Sequence, residues 1–136
     1  MKAHTDITRH TLSVLVENAA GVLSQVSRLF SRKGYNIESI VTGGTDRPNT
    51  ARLAISILAD ELMINQIADQ CRKLIPVLAV KILDEATSIQ REFSLIKVRA
   101  TDRNSRDEVI QMANIFRANI IDVGRDTLTV AIFGDR

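Results

Sequence analysis

From residue 9 the apolar positions alternate: Leu12, Val14 and Val16 take one side, and Thr11, Ser13 and Leu15 the other. That period of two predicts a strand near residues 9–17 with one face more buried than the other. The period then changes. Val22, Leu23, Val26, Leu29 and Phe30 share one stripe, with Ser24, Gln25, Arg28, Ser31 and Arg32 opposite, which predicts a helix near 21–33. Lys33-Gly34 supplies its stop, a cation in the last turn followed by a residue tolerant of left-handed backbone. Tyr35 to Thr42 reads as a second strand, 43–49 as a long hairpin loop dense in turn formers, and Ala51, Leu53, Ile55 and Ile57 as a third strand. Asp60-Glu61 opens a second helix with carboxylates suited to its dipole. Its predicted buried stripe runs through Ile64, Ile67, Ala68, Cys71, Leu74 and Ile75 to Pro76, and Leu78 to Leu83 closes the unit as a strand.

The order βαββαβ is that of a ferredoxin-like α+β unit, with two helices on one face of a four-stranded antiparallel sheet. Leu15, Ala54 and Leu58 make the other face less than strongly polar, and bare sheet edges invite association, so pairing with another copy or domain is expected. After a polar stretch the pattern restarts: a strand through Phe93, Leu95, Ile96 and Val98, a loop at 101–104, and a helix carrying Val109, Met112, Ala113 and Phe116. Ser105-Arg106-Asp107-Glu108 has capping-box spacing for the start of that helix. Asn119 to Val123 and Thr127 to Phe133 form a hairpin about 124–126. Leu29-Phe30 before Asn36-Ile37, and Ile115-Phe116 before Asn119-Ile120, suggest an internal repeat whose second copy stops at βαββ. The expected division is 1–84 for the first domain, 85–91 for a linker and 92–136 for a shortened second domain.

Composition narrows the function classes. The chain has 136 residues, 45% hydrophobic and 25% charged, a balance typical of a soluble globular protein, and its net charge of +2 argues little for nucleic acid. One cysteine, Cys71, excludes an intramolecular disulfide framework and fits a reducing compartment; on the apolar stripe it reads as structural rather than reactive. His4 and His10 have no partner at metal-ligand spacing, and no apolar run is long enough to span a membrane. No nucleophile elbow, phosphate loop or zinc-protease motif occurs, so no catalytic constellation and no cofactor site is expected. An RNA-binding reading of the βαββαβ order fails because the two central strands of the first unit carry no aromatic residue. The stretch most suited to a ligand is Glu17-Asn18-Ala19-Ala20-Gly21-Val22-Leu23, where a strand breaks and a helix begins: free N–H groups and a glycine there suit a small anion. Taken by itself, the same turn also reads as a shaped loop and a helix start.

The run Leu12 to Leu23, followed by Leu29-Phe30-Ser31-Arg32-Lys33-Gly34-Tyr35-Asn36-Ile37-Glu38-Ser39, resembles the N-terminal ACT domain of the acetolactate synthase (acetohydroxyacid synthase) small subunits. Glu92 to Ala100, Arg106 to Val109 and Ile115 to Val123 resemble the C-terminal domain of that family, so the likeness covers nearly the whole chain. The resemblance implies a non-catalytic regulatory subunit that activates a large catalytic subunit and confers feedback inhibition by valine or another branched-chain amino acid. The thiamine diphosphate, Mg²⁺ and FAD of the reaction belong to that partner. It further implies a homodimer through the ACT domains, in bacterial cytoplasm or a plastid stroma. The effector would be held by Asn18, Ala20, Gly21, Val22 and Leu23 of one chain and Asn36 and Ile37 of the other. The alternative is a free-standing ACT-type amino-acid sensor acting on a different partner.

Overall fold

The computed structural model describes residues 6–135, which divide between Ser88 and Ile89 into two compact units. His4 lies outside the described residues. The first unit runs β1 (Thr8–Glu17), α1 (Val22–Arg32), β2 (Ile37–Gly44), β3 (Thr50–Ala59), α2 (Glu61–Arg72) and β4 (Val77–Leu83). Its strands are antiparallel throughout, in the order β2-β3-β1-β4. This is the ferredoxin-like arrangement expected from the βαββαβ pattern.

The alternation in β1 and β3 explains the core. Leu12, Val14 and Val16 pair with Ile55, Leu53 and Ala51, so one face of the two central strands is continuously apolar. Val26, Leu29 and Phe30 of α1 and Ile64, Ile67, Ala68 and Cys71 of α2 close over it. Phe30 is buried and meets Tyr35 edge-on at 6.3 Å. On the reverse face, Arg52 donates from Nη1 to Ser13 Oγ at 2.6 Å, and Arg9 pairs with Glu38 at 2.7 Å.

Two residues of the first unit depart from their expected stripes, as do Met112 and Phe116 of the later helix, 55% and 61% exposed. Leu23 is 44% exposed, on the side of α1 turned from the core. Ile75 is 94% exposed because α2 ends at Arg72, with Lys73 as its C-cap, before the chain reaches Pro76. The helix therefore stops a turn short of the proline, and the apolar spacing at 74–75 belongs to a connector, with only Leu74 packed against the core.

The second unit contains β5 (Glu92–Arg99), α3 (Arg103–Ile115), β6 (Asn119–Val123) and β7 (Thr127–Gly134), with sheet order β5-β7-β6. Its βαββ order follows the sequence pattern, but α3 begins earlier than the expected capping box. Asp102 is the N-cap, its Oδ1 accepting from the Ser105 amide at 2.6 Å, so Ser105 lies within the first turn. With Asp102 already accepting from the free N–H three residues on, the Ser-x-x-Glu alternative is not used as the cap. Arg106 then reaches from α3 to the hairpin turn, donating to the carbonyls of Gly124 and Arg125.

Candidate functional site

The β1–α1 turn is built around Gly21. Its φ of +83° is a left-handed conformation that costs other residues strain, and no atom lies within 4 Å of where a Cβ would stand. The turn is anchored behind the glycine: the Glu17 amide donates to Pro76 O at 2.9 Å and the Asn18 amide to Asn49 O at 2.8 Å. Asn18, Ala19, Ala20 and Gly21 are all exposed, while Val22 is buried beneath them.

What separates this turn from the other two helix starts is its capping. Asp60 caps α2 by accepting from the Met63 amide at 2.7 Å, and Asp102 caps α3. No side chain caps α1, and its first turn carries no acidic residue. The positive end of the helix dipole is therefore left without a side-chain cap, and the Val22 amide makes only a long 3.4 Å bond to Ala19 O, an arrangement suited to a carboxylate. A hollow of about 520 Å³ adjoins the turn, lined by Glu17, Ala20, Val22 and Gln25 on one side and by Lys73 and Ile75 on the other. Gln25, Lys73 and Ile75 were not among the expected site residues; nothing in their local pattern marks them as such, because the α2–β4 connector reaches the turn only through tertiary packing.

Asn36 and Ile37 lie elsewhere in the same chain. Ile37 pairs with Ile57, and Ile57 with His10, seven residues back along β1 from Glu17. At about 3.4 Å per residue this is on the order of 24 Å, so one chain does not bring its own Asn36-Ile37 to its own Gly21. At that other end, Arg9, His10, Glu61 and Asp84 border a hollow of about 610 Å³. Among the described residues no group of three or more His, Cys, Asp or Glu is placed to hold a metal ion. No described helix is long and apolar enough to cross a membrane.

The βαββαβ unit with its glycine turn is an ACT domain: a family model described as "AHAS small subunit-like ACT domain" matches residues 12–79. A second, described as "Small subunit of acetolactate synthase", matches residues 91–136. The acetolactate synthase small subunit of Mycobacterium avium is 47% identical over 127 residues, 93% of this chain and 75% of that one. A probable acetolactate synthase small subunit of Methanothermobacter thermautotrophicus is 44% identical over 126 residues, again 93% and 75%. The crystal structure of an acetolactate synthase small subunit from Thermotoga maritima superposes with a TM-score of 0.88 at 39% identity, covering 96% of this chain and 81% of that chain. The chain belongs to the acetolactate synthase small-subunit family. Its role is that of a regulatory subunit, and its family implies a catalytic large subunit as partner.

Proposed function

We propose that the chain activates the acetolactate synthase large subunit and makes it sensitive to valine, which binds between two copies of the ACT domain. The observation that carries this reading is the uncapped, glycine-led start of α1. The effector carboxylate sits at the first-turn amides of Gly21, Val22 and Leu23, the Asn18 amide side chain bonds the amino acid's polar end, and Ala20 leaves the approach open. Leu23, apolar and half exposed on α1, joins Ile37 of the second chain in covering the effector's side chain.

The sheet topology supports a shared site. β2 is an edge strand. A second copy paired antiparallel along that edge sets the beginning of its β2 beside the end of the first, at Gly43-Gly44. Gly44 is in register with Ala51, and Ala51 with Val16, so this is the end of the sheet that bears the β1–α1 turn. The Asn36-Ile37 of the second copy is then carried toward the Gly21 of the first. In this reading the functional division is 1–84, 85–91 and 92–136, the setting is cytoplasmic, and thiamine diphosphate, Mg²⁺ and FAD stay with the large subunit.

Titration calorimetry of valine into wild type and Gly21→Asp tests the site. The carboxylate at residue 21 repels the ligand's carboxylate and fills the approach, so binding is lost; equal binding by both proteins overturns the site. Acetolactate formation by the cognate large subunit, with and without this chain and valine, separates a regulatory subunit from a free-standing sensor, which leaves that activity unchanged.

A further inference from the structure

The second unit's sheet has two unlike faces. Ile96, Val98, Val130 and Ile132 line a groove beneath α3. Alternate residues point the other way, and on that side the register sets Phe93 beside Phe133, Leu95 beside Ala131, Lys97 beside Thr129 and Arg99 beside Thr127. The two phenylalanine rings lie 6.3 Å apart, tilted by 54°. Phe93 is 60%, Leu95 58% and Phe133 68% exposed. An exposed aromatic and aliphatic cluster of this kind marks a recognition surface, since single exposed apolar residues are common but contiguous ones with paired rings are not.

Charge divides the face further. At the phenylalanine end Arg91 is paired with Asp135 and neutralised. At the opposite end Lys97 and Arg99 make no ion pair among the described residues, and Asp122, in register with Thr129, contributes one carboxylate to the same row. A matching surface has an apolar centre with carboxylates along one side. A second copy of this chain offers the same excess of cations, whereas a distinct acidic partner complements it.

We propose that this face of the second unit, centred on Phe93 and Phe133 and flanked by Lys97 and Arg99, docks an apolar, acid-rimmed surface of the catalytic large subunit. This rests on the regulatory-subunit reading above and adds the surface through which it acts. The anchor rings supply the buried contact and the two cations set orientation and salt dependence.

The test measures association of the full chain with its cognate large subunit by biolayer interferometry at low and high salt. It compares wild type, Phe93→Ser with Phe133→Ser, and Lys97→Glu with Arg99→Glu. All four side chains are exposed, so the fold tolerates their loss, and the charge variant stands alone should the serine variant fold poorly. The expected result is Kd raised roughly tenfold or more in both variants, with salt dependence reduced in the charge variant while valine binding and self-association are unchanged. Wild-type Kd in the variants overturns the proposal and leaves the regulatory reading standing. Loss of self-association in the serine variant assigns the face to a second copy, and single-stranded RNA binding that disappears in that variant, with large-subunit binding intact, assigns it to RNA; either result overturns the proposal. Absence of any wild-type association with the large subunit overturns the regulatory reading itself, and the docking face with it.

Discussion

Cys71 lies fully enclosed on the core side of α2, and burial pushes its thiol up to about 11, with the neighbouring Arg72 charge pulling weakly the other way. In the unfolded chain the thiol ionises near 8.5. A group whose pKa is higher in the folded state stabilises the fold fully below the unfolded value and loses that contribution as pH rises toward the folded one. The difference in melting temperature between wild type and Cys71→Ala is therefore expected to shift against wild type between about pH 8.5 and about pH 11. A disulfide reagent at pH 8 is expected to label Cys71 only after denaturation, and fast labelling of the native protein refutes its enclosure. Gly21 makes a different prediction. Alanine fits the open space there but not the φ of +83°, so Gly21→Ala costs about 1–2 kcal/mol, read as a lower urea midpoint. Unlike Gly21→Asp, it adds no charge and leaves measurable valine binding.

At the scale of elements, the helix starts carry the contrast on which the site rests. Asp60→Ala removes the cap of α2 and is expected to lower stability by about 1 kcal/mol, a loss read in urea melts that leaves valine binding unchanged. The Asp102 carboxyl is held below its usual range, first by the backbone hydrogen bond from Ser105 and then by that residue's side chain. Its capping contribution is present above the unfolded value of about 3.9 and is lost as pH falls through the lowered one. The melting-temperature gap between wild type and Asp102→Ala should thus narrow on acidification, and a gap constant down to about pH 2.5 rules out the charged cap. The elements themselves were legible in the sequence because β1, β3 and α1 switch cleanly from period two to period three and four, and Gly34 and Asp60 mark real boundaries. Helix ends set by competition were less legible: Asp102 outranked Ser105, and α2 stopped at Arg72 although apolar residues continue to Ile75. Alternation likewise revealed β5 as a strand but not that the face carrying Phe93 and Leu95 stays open, because exposure depends on what packs above a strand rather than on its own residues.

The candidate site shows the same limit at the level of the whole molecule. Asn18 to Leu23 could be singled out from one stretch of chain, but Asn36 and Ile37 entered through family resemblance, and the fold of a single chain keeps them at the far end of the sheet. If the effector is shared, the two halves of the site must be separable genetically. Asn18→Ala homodimers lack the turn half at both sites, and Asn36→Ala homodimers lack the strand half at both. After mixing with subunit exchange, each heterodimer contains one doubly altered site and one site whose Asn18 and Asn36 are both intact. Random exchange makes half of the dimers mixed, so about a quarter of all sites regain wild-type composition. Valine titration is expected to be silent, or strongly weakened, for each variant alone and to show high-affinity binding at about that stoichiometry for the mixture. A site formed within one chain cannot be rescued this way, since every chain in the mixture still carries a defect. Continued absence of tight binding, with native mass spectrometry confirming that heterodimers have formed, excludes the shared site while leaving the ACT fold and the family membership intact.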